Sequence, residues 1–216
     1  MKRIKVVIPV RQGSERIKNK NFKPFGGKSL LEHKIDIIKK LPVDDIIVNT
    51  DSEYAIKIAK REGVNYHKRS KYFASSKCTN SEYHVHMAEV TDSEYTLVTP
   101  VTSPLIKLET YIEALDIFNN IKNDSLISMN CVQDYLWYNG KPLNYSIDND
   151  LHSQELPKYY RPTYGIVLFK NSEVIKSKNF ICGNPYFYQI SDVESIDIDN
   201  DIDFEFAEFL FNKKNG

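Results

Sequence analysis

Asp197 and Asp199 stand one residue apart near the end of the chain, inside the run IDIDNDID. On an extended segment alternate side chains point to one side. The two carboxylates can therefore share one hard cation through oxygen ligands. Asp201 and Asp203 continue the run, and Asp201 suits the N-cap of a following helix, so the run also reads as a capping-rich loop. A second concentration of chemistry lies near the N-terminus, in RQGSERIKNKNFKPFGGK. Arg11, Arg16 and Lys20 supply charge-assisted donors. Backbone N–H groups freed around Gly13 can hold phosphate oxygens. The stretch is neither GxxxxGK[ST] nor GxGxxG, and a solvated basic loop is an equally good reading of the residues alone. His84 and His86 lie two apart on an expected helix and face apart, which suits surface or dimer-contact histidines better than a metal site. Cys78 has no evident His partner for nucleophilic work.

The elements that must position these groups alternate. Residues 4–10 are β-branched and nearly continuous, as in a strand buried on both faces. A helix is predicted over 29–41, with Ser29 and Glu32 as a capping box and Pro42 as the stop. A strand follows at 45–50, then a helix capped by Asp51 and stopped by Gly63, then a strand at 64–67. Residues 69–80 read as loop. A helix over 81–90 leads to the strand YTLVTP. The next helix puts Ile112, Leu115 and Phe118 on one face, and 125–130 is again a strand. Such alternation predicts a parallel sheet with helices on both faces. In such sheets ligands bind at the carboxyl ends of the strands, which is where the first basic loop falls. The alternation breaks at 131–163, which is rich in Tyr, Asn and Pro and reads as an arm, hairpin or long loop. A strand at 164–169 and a helix at 201–211 close the chain.

The 216 residues fit a single domain, 1–216, with 131–163 as an extension. Hydrophobic residues are 41%, enough for a core, and the formal net charge is zero. That balance excludes a general binder of nucleic acid or of a membrane surface. Three cysteines without CxxC spacing suit a reducing, cytoplasmic setting. The apolar run after the N-terminus is too short for a signal segment or a membrane span.

Six segments in order resemble the acylneuraminate (CMP-sialic acid) cytidylyltransferases. They are RQGSERIKNKNFKPFGGKSLLEHKI, VNTDSEYAIKIAKREGV, RSKYFASSKCTNSE, VTSPL, LPKYYRPTYGIVLF and SIDIDNDIDFEFAE. The resemblance implies an α/β, Rossmann-like three-layer nucleotidyltransferase fold with a mostly parallel sheet and a dimerisation arm. It also implies transfer of CMP from CTP to an acidic sugar, with Mg2+ as cofactor and pyrophosphate as the leaving group. By position, Arg11, Gly13, Ser14, Arg16, Lys20 and Asn21 would bind triphosphate and cytidine. Arg69, Ser75, Thr79 and Asn80 would border cytosine or ribose, and Thr102, Ser103 and Arg161 would face the acceptor. Asp197 and Asp199 would hold the metal, with Arg11, Lys20 and Asp199 catalytic. The Tyr135, Tyr138, Tyr145, Tyr159 and Tyr160 cluster reads either as a binding wall or as cover for a dimer interface, and the resemblance implies a homodimer built on this arm.

The sequence departs from the family pattern in four places. Glu15 stands where a basic residue is usual. Pro100 and Val101 stand where many members carry a Gln before P-T-S-P-L. Ile106 replaces an Arg, and Thr163-Tyr164-Gly165 replaces an Asn-Gly. These changes cluster on the expected acceptor side. The acceptor is therefore left open between sialic acid, a related nonulosonic or keto sugar acid, and a phosphonate or phosphorylated compound. A catalytically weak nucleotide-binding paralogue is the remaining alternative.

Overall fold

The computed structural model describes residues 2–13, 17, 19–148 and 151–215. In chain order the strands are β1 (Ile4–Val10), β2 (Pro24–Phe25), β3 (Lys28–Ser29), β4 (Asp45–Thr50), β5 (Asn65–Lys68), β6 (Tyr95–Val98), β7 (Ser125–Val132), β8 (Trp137–Tyr138), β9 (Lys141–Pro142), β10 (Tyr159–Lys170) and β11 (Pro185–Gln189). The α-helices are α1 (Leu30–Ile38), α2 (Glu53–Arg61), α3 (Lys71–Ala74), α4 (Asn80–Glu89), α5 (Leu108–Asn120), α6 (Asn171–Ser177) and α7 (Asp201–Asn215).

Seven strands form the central sheet, in the order β11-β7-β10-β6-β1-β4-β5. Pairing is parallel except where β10 runs against β6 and β7. β1 shows why the sheet sits in the middle. Ile4, Val6, Ile8 and Val10 join one apolar cluster, with residues of α1, α2, α5 and α7. Val7 joins a second cluster on the other face, with Met87 of α4 and Val174 of α6. Apolar side chains therefore point to both faces of β1, because both faces are covered. No described helix is long and apolar enough to cross a membrane.

Local chemistry sets several boundaries. The Ser29–Glu32 capping box forms as expected and starts α1, an arrangement worth about 1 kcal/mol. The helix ends at Ile38, before Pro42 can act, because residues 39 and 40 tighten into a turn. The cap of α2 is Ser52, whose hydroxyl accepts from the Ala55 N–H, and not Asp51. Asp51 instead accepts from the Gln12 N–H at 2.8 Å and ties the first basic loop to the end of β4. The cap of α7 is Asn200, and not Asp201. Asn200 Oδ1 accepts from the Asp203 N–H at 3.0 Å, and Asp203 Oδ2 accepts in return from Asn200 N–H at 3.0 Å.

Residues 69–80 are not all loop, because Lys71–Ala74 close one helical turn. Ile112 is exposed and Tyr111 takes its expected place in the core of α5, together with Ala114, Leu115 and Phe118. The arm is shorter than 131–163. Tyr159 to Pro162 already pair with Val132 to Met129, so β10 begins five residues before the predicted strand. What remains carries the small β8–β9 hairpin.

Candidate nucleotide site

The strand order reverses direction beside β1. From β1 the chain steps to β4 and β5, then crosses to β6 on the other side. This is a topological switch point, and in such sheets a crevice forms outside the carboxyl ends of the strands there. A cleft of about 310 Å³ occupies that position. Pro9 and Arg11 border it from the end of β1, and Pro100, Val101 and Thr102 from the end of β6. Lys20 and Asn21 enter from the basic loop. Arg69, Ser75 and Asn80 enter from the segment after β5.

Seven of the residues predicted for the site therefore converge on one cleft: Arg11, Lys20, Asn21, Arg69, Ser75, Asn80 and Thr102. Asn21 Nδ2 donates to the Arg11 carbonyl at 3.0 Å, which fixes the loop against the strand end. Arg69 is only 5% exposed. Burial lowers its pKa, while the charge of Asp51 works the other way. Two lining side chains keep buried polar atoms without a partner among the described residues, Arg69 Nε and Asn21 Oδ1. Unsatisfied buried groups are costly, and a ligand is one of the things that satisfies them.

Other predicted residues stand elsewhere. Gly13 is described but does not line the cleft, and Ser14, Glu15 and Arg16 lie outside the described residues. Thr79 caps α4, in a reciprocal box with Glu82, while its neighbours Cys78 and Asn80 line the cleft. Ser103 is buried beneath the cleft, where its carbonyl accepts from Lys34. Arg161 lies on β10, with Nε donating to Asn130 Oδ1 at 3.4 Å, and does not line the cleft.

Asp197 and Asp199 flank Ile198, which is fully buried, so the two carboxylates lie on the solvent side as expected. The Ile198 N–H donates to the Thr102 carbonyl at 2.8 Å, and the Lys20 ammonium donates to the Ile198 carbonyl. The acidic segment is thus hung on two residues of the cleft. Partial burial raises the pKa of Asp197, and the charges of Asp199 and Asp203 add to that. A hydrogen bond from Thr102 and the charge of Lys20 oppose it. Among the described residues no three His, Cys, Asp or Glu side chains come together as a metal cage.

Sequence reasoning missed the floor and wall of the cleft. Phe73 of α3 stacks on His86 at 4.0 Å, and His86 Nε2 accepts from Asn49 Nδ2 at 3.1 Å. Burial pushes the His86 pKa down to about 4. His86 is therefore a neutral core residue rather than a surface histidine. Below the β6 end, Lys34 is 1% exposed. Its ammonium nitrogen lies 2.7 Å from the Tyr111 hydroxyl, 2.9 Å from the Ser103 carbonyl and 3.3 Å from Thr99 Oγ1. Only the charge in an otherwise apolar helical pattern could have signalled it. The Cys78 thiol lines the cleft, but burial raises its pKa, which leaves it protonated and a poor nucleophile.

An open α/β sheet with a cation-lined crevice at its switch point has its cleft where folds of this class bind their ligands. The chain belongs to the cytidylyltransferase family, whose model matches residues 5–212. It is 27% identical over 209 residues to the N-acylneuraminate cytidylyltransferase of Streptococcus agalactiae, covering 92% of this chain and 51% of that protein. The chain thus spans about half the length of that relative. It is also 27% identical to the CMP-N,N'-diacetyllegionaminic acid synthase of Legionella pneumophila, with 96% of each covered. Among solved structures, CMP:2-keto-3-deoxy-manno-octonic acid synthetase complexed with CTP shares the fold, with a TM-score of 0.71 at 12% identity over 98% of this chain and 99% of that one.

Proposed function

We propose that this protein transfers CMP from CTP to an acidic sugar, a nonulosonic or related keto sugar acid, and releases pyrophosphate. The observation that carries the reading is the meeting of Arg11, Lys20 and Arg69 with the Asp197–Asp199 segment around one switch-point cleft. A triphosphate and a sugar carboxylate repel each other, so their approach needs fixed cations. Arg11 and Lys20 neutralise phosphate oxygens, and Arg69 with the 75–80 segment holds the nucleoside. The acceptor hydroxyl attacks the α-phosphorus from the Thr102 side, and the bond to the pyrophosphate oxygen breaks opposite it.

Mg2+ suits the acidic segment. It keeps several waters and takes one or two carboxylates together with substrate phosphates. Asp197 and Asp199 provide two such ligands, and the negative charges of Asp199 and Asp203 beside Asp197 favour a cation there. When bound, the ion polarises phosphoryl oxygen and offsets charge on the leaving group.

Pyrophosphate release from CTP with a panel of 2-keto sugar acids tests the reading. Turnover only with phosphonates or sugar phosphates moves the acceptor to that class. CTP binding with no turnover on any acid makes the chain a nucleotide-binding paralogue. Arg11→Ala is expected to raise the CTP KM by about tenfold to a hundredfold, the range for losing one charge-assisted contact, while the melting temperature stays within a few degrees.

A homodimer belongs to the same proposal. The β8–β9 hairpin and its flanks expose Trp137, Tyr138, Leu143 and Ile147, each more than half accessible. Aromatic-rich apolar clusters of this kind are typical of buried interface cores. Light scattering of the purified protein should give twice the 25.1 kDa chain mass. Tyr138→Asp together with Ile147→Asp should give the monomer, and a monomeric wild type would sink the dimer reading.

A further inference from the structure

A second cavity, of about 280 Å³, adjoins the nucleotide cleft and shares Pro9, Asn80, Tyr83 and Pro100 with it. Its other walls include Tyr164, His84, Val167 and Phe180. Tyr164 is the unusual member. Its φ is +53°, in the left-handed region, which costs free energy for a residue with a bulky side chain.

The surrounding bulge leaves the backbone no choice. β10 shifts register against β7 between Pro162 and Val167. Thr163 Oγ1 bonds the Ser128 hydroxyl at 2.7 Å, and Ile166 N–H donates to the same hydroxyl at 3.0 Å. The Gly165 carbonyl accepts from Thr99 Oγ1 at 2.9 Å. A Cβ at Gly165 would stand 2.5 Å from Ile106 Cδ1, so residue 165 must be glycine to let the bulge pack. Residues 163, 165 and 166 are therefore pinned, and 164 is held left-handed between them. Glycine would sit at 164 without strain. The chain carries tyrosine there instead, with the residue 41% exposed and lining the cavity beside the nucleotide cleft.

We propose that Tyr164 is a specificity-determining residue for the acceptor. Its ring closes a largely apolar chamber, which takes an acyl or methyl substituent of the sugar acid while the acid's hydroxyl faces the cleft. The chamber offers aromatic and aliphatic walls with few donors, so it discriminates by apolar substituent rather than by charge. The inference rests on the CMP-transfer reading above.

The test compares CMP transfer to N-acetylneuraminate and to 2-keto-3-deoxy-octonate, which lacks an acyl group. Wild type should favour the acylated acid. Tyr164→Gly should lose about tenfold in kcat/KM on that acid, the scale of one lost aromatic packing contact. CTP KM should stay within twofold, and the melting temperature should equal or exceed that of wild type. Tyr164→Phe should keep the wild-type preference. A structural tyrosine would instead show a lower melting temperature on change to glycine, with both acids affected alike, and that result overturns the proposal. An unchanged ratio between the acids also overturns it, and so does an equal rise in CTP KM, which would give the ring to the nucleotide. Failure of wild type to transfer CMP to these two acids and to every other 2-keto sugar acid of the panel overturns the transfer reading itself, and this inference with it.

Discussion

Asp199→Asn is expected to lower pyrophosphate release from CTP by about a thousandfold at saturating CTP and Mg2+, a loss of roughly 4 kcal/mol of transition-state stabilisation. The substitution keeps the shape of the side chain and removes a charged oxygen ligand. Asp199 is exposed, and its backbone N–H is held by Asp203 Oδ2 at 2.9 Å, a bond that does not use the side chain being changed. The fold should therefore survive, with a melting temperature within a few degrees of wild type. Asp197→Asn should cost as much in rate and more in stability, because Asp197 also bonds Thr102 in the turn after β6. Mg2+ titrations should show half-maximal rate at a higher metal concentration in both variants. A rate within threefold of wild type for Asp199→Asn would mean that the acidic segment serves only to start α7.

That alternative was already visible in the sequence, and the structure shows why it was hard to dismiss. The run divides its residues between two settings. Asn200 and Asp203 cap the helix, while Ile198 buries itself and turns Asp197 and Asp199 outward. Spacing alone exposed the alternation but could not say which residues would cap the helix and which would face outward. The strand–helix alternation was equally legible, because β1, β4 and β7 are short runs rich in aliphatic residues, set between segments of helical period.

The parts that were not legible share a physical reason. β11 is the edge strand beside β7, and its pattern, half exposed and rich in tyrosine, resembles the arm before it. The Arg161 position depended on how far β10 extends, which is set by pairing with β7 and not by local propensity. The cap at Ser52 rather than Asp51 turned on which side chain a distant loop, at Gln12, would claim. Each miss is a tertiary choice between groups of equal local merit.

Lys34 is the clearest case, and its removal carries the second large effect. Within α1 its charge looks like a solvent-facing residue, yet burial is complete because α5 and the turn after β6 close over it. Tyr111 donates to Thr99 Oγ1 across 2.6 Å, and Thr99 donates to the Gly165 carbonyl. Lys34 donates to Tyr111 and to Ser103, so one amine joins α1, α5, β6 and β10 under the residues that line the cleft. Lys34→Ala would empty a long side chain's volume and leave those acceptors unpaired, and is expected to cost about 3–5 kcal/mol of stability. Lys34→Met fills the volume and isolates the lost donors. It should keep the fold, but loosen Pro100–Thr102 enough to cut kcat by tenfold to about a hundredfold, with CTP KM changing less.

The charge state gives an independent readout. Burial pushes the Lys34 pKa down to about 7, although the charge of Asp197 pulls it back up. An unfolded lysine titrates near 10.4. Between those values the unfolded chain binds the proton that the folded chain has released, so stability rises with pH through that window and falls as pH drops toward 7. The two shortest bonds of the amine, to Tyr111 and Ser103, need only the two hydrogens that a neutral amine keeps. Relative to Lys34→Met, wild type should therefore gain about 2 kcal/mol of stability between pH 7.5 and 9.5, the scale set by one proton over two pH units. Urea unfolding of both proteins across that range measures the difference directly. A constant difference would show that Lys34 stays charged in the folded protein, and that the turn under the cleft is held by an ammonium ion rather than by an amine.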